Sequence, residues 1–192
     1  MERILPARCG GRRDPAIPAL YFYTVHGTIM AHIIPEVYPM RMRKKKNLIP
    51  RMEKCAACQV KDGFALRGRW REALMPQAAE LRVELGCGKG RFTAETARQN
   101  PDVLFIAIEK GPDALVVAME RATALELKNV FFVVGDAALL PDYFAPEEVS
   151  LIYINFCDPW PHKGQAKRRL THRGFLELYR KVLKPGGQVH FK

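Results

Sequence analysis

The residues most able to do chemistry are four acids: Glu84, Glu109, Asp136 and Asp158. Each closes an apolar run of strand length, so each is expected at the C-terminal end of a β-strand. In an open parallel sheet those ends line the ligand crevice. One acid so placed is commonplace; four in register point to a small-molecule site. Glu84 opens Glu84-Leu85-Gly86-Cys87-Gly88-Lys89-Gly90. Glycine there permits a tight turn and a close approach of ligand to backbone, and the helix that follows offers free N–H groups.

The acids and glycines together say which ligand. Glu109 stands nineteen residues after Gly90, where a carboxylate can accept hydrogen bonds from both ribose hydroxyls. Asp136, in Gly135-Asp136-Ala137, is placed to reach an adenine amino group. A dinucleotide fingerprint wants glycine at its sixth position, where this chain has Arg91, and a pyrophosphate would be repelled by Glu84. S-adenosylmethionine lacks phosphate and carries a sulfonium and an ammonium, so an acid-rich site suits it. NAD is the competing cofactor.

Elements that could hold these residues alternate along the chain. Leu81–Leu85, Val103–Ile108, Val130–Val134, Val149–Phe156 and Gln188–Lys192 read as strands. Between them, helices are expected over Lys89–Gln99, from Pro112 to about Leu127, and from a Thr171 cap to near Lys184. Continuous apolar strands between helices indicate a buried, mostly parallel sheet. The fold class is α/β, doubly wound and Rossmann-like.

Charge divides the chain of 192 residues, net +11, unevenly. Residues 1–39 carry four basic and three acidic residues and are Pro-rich, without helical or strand periodicity. They are expected to be a non-native or disordered extension ahead of a start at Met40 or Met42. Residues 40–75 hold eleven basic and three acidic residues, a basic N-terminal arm suited to a polyanion or simply solvated, with a short helix near Gly68–Leu74. The remaining residues, 76–192, form the ligand-binding domain. A second basic stretch, Lys163, Lys167, Arg168, Arg169 and Arg173, spans eleven positions without an acid.

Other classes are disfavoured. Cys55-Ala56-Ala57-Cys58 has the spacing of half a zinc site, but no second pair follows and a structural zinc needs four ligands. Two reduced thiols and no metal are expected, and reduced thiols fit a cytoplasmic location. Residues 19–35 are uncharged but interrupted by His26, Gly27, His32 and Pro35, too short and broken to span a membrane.

The glycine loop, Ala107-Ile108-Glu109, Gly135-Asp136-Ala137, Asn155-Phe156-Cys157-Asp158-Pro159-Trp160-Pro161, Lys167-Arg168-Arg169-Leu170 and Gly186-Gly187-Gln188-Val189-His190-Phe191-Lys192 together resemble the bacterial tRNA (guanine-N7)-methyltransferases, class I enzymes that use S-adenosylmethionine. The resemblance covers about residues 40–192. It implies methyl transfer to N7 of a guanosine in the variable region of tRNA, by a monomer or homodimer. By the same resemblance Glu84, Gly86, Gly88, Glu109, Asp136 and Asp158 form the cofactor site, and Asp158 also matches the acid assigned to catalysis. Asp158 can orient the base and stabilise the cationic product; it can also merely cap the turn before Pro159. His162, Lys163, Gly164, Lys167, Arg168 and Arg169 match the RNA-contacting stretch. The chain departs from the pattern at His162, where lysine is common, and at Gly164 and Gln165, where arginine and histidine are common; Lys163 can supply the lost charge. Trp160 either stacks on a base or packs the loop. The family pattern runs on past Lys192 through further helix and strands to a Thr-x-x-Glu motif, so the last strands of the sheet are expected to be missing. Two alternatives stand beside this: a class I methyltransferase with another substrate, and an inactive fragment that only binds RNA.

Overall fold

The computed structural model describes residues 20–25, 28–33, 44–158 and 160–192. Arg41, Arg43, Pro159 and most of the 1–39 stretch lie outside these. The chain divides into two compact units, Met1–Met40 and Arg41–Lys192. In the first, β1 (Leu20–Val25) pairs antiparallel with β2 (Thr28–Ile33), from Leu20↔Ile33 to Val25↔Thr28. No strand was expected there. The segments are nonetheless rich in aromatic and β-branched residues, which suit strands even without alternation.

The second unit is built on β3 (Glu80–Leu85), β4 (Val103–Glu109), β5 (Val130–Val134), β6 (Val149–Ile154) and β7 (Leu183–Phe191). All pair in parallel, in the order β5-β4-β3-β6-β7. The chain begins mid-sheet, winds outward one way, then returns to β6 beside β3. The crevice forms where the order reverses, between the ends of β3 and β6.

β4 shows why the sheet is buried on both faces. Leu104, Ile106 and Ile108 join one core with Trp70, Tyr143, Phe144 and Tyr179; Val103, Phe105 and Ala107 join the other with Leu115, Ala118 and Met119. Each buried Val, Leu, Ile, Phe or Met among them contributes about 1.5–3 kcal/mol. The second core is covered by α3 (Arg91–Gln99) and α4 (Pro112–Ala124), the first by α5 (Leu140–Tyr143) and α6 (Arg173–Val182).

Residues 44–75 are built into this body rather than extended from it. α1 (Leu48–Lys54) is clamped to α4 by Arg51, whose Nε and Nη2 donate to the two Glu120 oxygens at 2.6 and 2.7 Å. Cys55 and Cys58 are buried in the second core, where the Cys58 thiol donates to the Cys55 carbonyl at 3.2 Å. α2 (Trp70–Leu74) falls where a short helix was expected, and its Trp70 is fully buried with Nε1 donating to the Tyr143 carbonyl at 2.8 Å.

Several boundaries differ from expectation for local reasons. α3 starts at Arg91, because Gly90 takes the left-handed conformation just before it. α4 stops at Ala124: Glu126 is left-handed, and the N–H groups of Glu126 and Leu127 donate back to Thr123 and Ala122, closing the helix end. α6 is capped by His172, not Thr171; the His172 ring accepts from the Gly174 N–H. α6 ends at Val182, and β7 absorbs Pro185-Gly186-Gly187 as an irregularity, Val149 facing Leu183 while Leu151 faces Gln188.

Candidate active site

Three of the four acids gather at the carboxyl ends of β3, β4 and β5. Glu84 lies one residue before the end of β3 and is only 4% exposed. One of its oxygens accepts from the Thr93 hydroxyl of α3; the other accepts from the Asn155 amide at 3.2 Å. Glu109 ends β4. Its oxygens accept the Gly88 N–H at 3.0 Å and the Gly111 N–H at 2.9 Å, so β4 holds the glycine loop in place. Each oxygen keeps a further acceptor site for a ligand hydroxyl. Asp136 follows β5 by two residues. It accepts from the Ala138 N–H at 2.9 Å and pairs with Lys110 at 2.8 Å.

The expectation that Asp158 ends the fourth strand is corrected. β6 stops at Ile154, and Asp158 stands four residues later on an exposed loop. The cause is local: Phe156 has φ +50, outside the extended region, so the strand cannot continue to Asp158. The residue at the strand end is Asn155, which holds Glu84.

The three glycines differ in purpose. Gly86, Gly88 and Gly90 all have positive φ. A Cβ on Gly86 or Gly88 would meet nothing within 4 Å, so these two leave open space for a ligand to approach backbone. A Cβ on Gly90 would lie 2.5 Å from the Ala118 Cβ and 2.9 Å from its Cα. Gly90 therefore serves the packing of α3 on α4.

The crevice is electrostatically negative. Burial pushes the Glu84 carboxyl above the usual range; the Thr93 and Asn155 hydrogen bonds oppose this, and the Glu109 charge adds to it. Cys87, buried within the loop, is held well above its ordinary thiol value by burial and then by Glu84 and Glu109. Its thiol stays protonated and is no nucleophile at neutral pH. A cationic ligand here would offset the repulsion between Glu84 and Glu109.

The Asp158 loop is held by the basic stretch. Arg169 donates from Nε and Nη2 to the Trp160 carbonyl at 3.1 and 2.9 Å. The Arg168 guanidinium lies 5.1 Å from the centre of the Trp160 ring. Trp160 is thus packed against arginine and has φ +40, a strained value for a bulky residue. His162, Lys163, Gly164, Lys167 and Arg168 are exposed, and Lys163–Arg168 form a 3-10 helix. Sequence reasoning assigned no role to Thr93, Asn155 or Lys110. For Asn155 there was a signal: it is the first polar residue after the β6 apolar run.

Residues 78–192 match the family described as "Putative methyltransferase". The chain is 43% identical over 154 residues to the tRNA (guanine-N(7)-)-methyltransferase of Clostridioides difficile (strain 630), the match covering 80% of this chain and 72% of that protein. It is 41% identical over 153 residues to the enzyme of that name from Geobacillus thermodenitrificans (strain NG80-2), covering 80% and 70%. The chain belongs to the tRNA (guanine-N(7)-)-methyltransferase family. Among solved structures, the antibiotic-resistance methyltransferase Kmr superposes with a TM-score of 0.51 at 23% identity, covering 63% of each chain. That likeness is one of fold.

Proposed function

We propose that this chain transfers a methyl group from S-adenosylmethionine to N7 of a guanosine in tRNA. The observation that carries the reading is the 43% identity over 154 residues to a tRNA (guanine-N(7)-)-methyltransferase; the methyltransferase family match over residues 78–192 spans every acid of the crevice and the whole Asp158–Arg169 stretch. When bound, S-adenosylmethionine supplies a methyl group activated by a cationic sulfonium. Glu84, Glu109, Asp136, Gly86 and Gly88 are the residues that would hold it. Glu84 and Glu109 supply negative charge to its cationic groups and acceptors to its hydroxyls. Asp136 faces the adenine end, with Lys110 already at one oxygen.

Guanine N7 carries an in-plane lone pair and needs no base at neutral pH. The residues here are left with alignment and electrostatics. Asp158, exposed on its loop, orients the base and stabilises the positive charge that the purine gains. Arg169 fixes that loop through the Trp160 carbonyl. Lys163, Lys167, Arg168 and Arg173, with the basic run at 41–46, grip the tRNA backbone. Among the described residues no helix is long and apolar enough to cross a membrane; we place the activity in the cytoplasm, in a monomer or homodimer.

The test is incubation of the protein with bulk tRNA and methyl-labelled S-adenosylmethionine, followed by nucleoside digestion. Label in 7-methylguanosine is expected. Label in another nucleoside, or none, would overturn the reading.

A further inference from the structure

Phe156 is the large apolar side chain most open to solvent among the described residues, at 81%. Its backbone φ is +50. A chain that needed only a left-handed turn here would do better with glycine. Phenylalanine keeps the strain of a bulky residue at positive φ and exposes its ring besides. Among the described residues the ring joins neither buried core.

Its place in the chain lies between two residues of the candidate site. Asn155, the preceding residue, hydrogen-bonds Glu84 in the cofactor crevice; Asp158 follows two residues later. The Phe156 N–H donates to the Lys192 carbonyl at 2.9 Å, which fixes the backbone against the end of β7. The Lys192 ammonium lies 5.5 Å from the ring centre. The ring therefore already carries a cation near it while staying largely open.

We propose that Phe156 stacks on the target guanine and holds it in the plane of methyl transfer. This rests on the functional reading above and names a residue that reading leaves without a role. A flat, solvent-open aromatic two residues before Asp158 suits a nucleobase of any sequence. It also suits this base in particular: the purine gains a positive charge as N7 takes the methyl group, and a ring face attracts cations.

The experiment compares wild type, Phe156→Trp and Phe156→Leu in initial rates of methyl transfer to bulk tRNA. Calorimetric affinity for S-adenosylmethionine and thermal unfolding are measured on the same proteins. Loss of a base stack corresponds to about 5- to 150-fold. Phe156→Leu keeps an apolar side chain but has no ring face; it is expected to lose tenfold or more in kcat/KM for tRNA, with cofactor affinity and melting temperature unchanged. Phe156→Trp is expected to stay near wild type. An active wild type with an unimpaired Phe156→Leu would overturn the stacking role alone, as would Phe156→Trp falling as far as Phe156→Leu. An inactive wild type would overturn the methyltransferase reading and the stacking role with it.

Discussion

Gly90→Ala separates the structural part of the glycine loop from its ligand-facing part. The alanine Cβ would sit 2.5 Å from the Ala118 Cβ and 2.9 Å from its Cα, whereas ordinary contact begins at 3.4 Å. α3 and α4 must therefore part by about 0.9 Å. The positive φ of +67 adds a left-handed penalty of about 1–2 kcal/mol, and overpacking a filled contact costs about 1–3 kcal/mol. The sum is about 2–5 kcal/mol. For a chain of this length each kcal/mol moves the melting temperature by about 2–4 °C, so a fall of about 4–20 °C is expected. Gly88→Ala is the control. Its φ is +54 but the space is open, so only the left-handed penalty of about 1–2 kcal/mol applies. Gly88→Ala is expected to lose cofactor affinity out of proportion to its stability, and Gly90→Ala the reverse. Thermal unfolding of the ligand-free proteins, with calorimetric titration of S-adenosylmethionine, measures both. Equal melting temperatures for the two variants would refute the division of roles.

Glu84→Gln removes a buried charge from the crevice and, on the proposed function, is expected to weaken S-adenosylmethionine binding about 10- to 150-fold, the weight of a charge-assisted hydrogen bond, by calorimetry. The same variant tests the pH dependence. The folded Glu84 carboxyl is raised above its ordinary 4.5, so its contribution is fully present below that value and is lost as pH rises through the raised one. The melting temperature of Glu84→Gln should therefore gain on wild type as pH climbs above 4.5; a constant difference would count against it. Arg169→Ala frees the Trp160 carbonyl from its two hydrogen bonds; methyl transfer is expected to fall at least tenfold with cofactor affinity unchanged, measured by initial rates and titration. Neutralising Lys163 and Lys167 together should lower the slope of log affinity for tRNA against log salt by about 2, read from filter binding at several salt concentrations.

The parallel sheet was legible because β4, β5 and β6 are continuous apolar runs, which a chain can bury only between two layers. The crevice was legible because Glu84 and Glu109 interrupt such runs at their ends. Asp158 was misplaced because apolar Phe156 and Cys157 follow Asn155 and prolong the run as read from the sequence; only the backbone shows β6 ending at Ile154 and Phe156 turning left-handed. The packing of residues 44–75 was hidden by their charge, since α1 and α2 present basic residues outward while Cys55, Cys58 and Trp70 carry the burial. Partners at long separation, such as Thr93 and Asn155 on Glu84 or Lys110 on Asp136, are set by how strands and helices come together and leave no local pattern.

The most direct test of the site's chemistry replaces the attacking atom. One tRNA transcript is made with guanosine and another with 7-deazaguanosine, in which N7 becomes C–H. Both are offered to the protein with S-adenosylmethionine. Methylation of the first and none of the second is the expected result. Equal methylation of both would contradict transfer to N7.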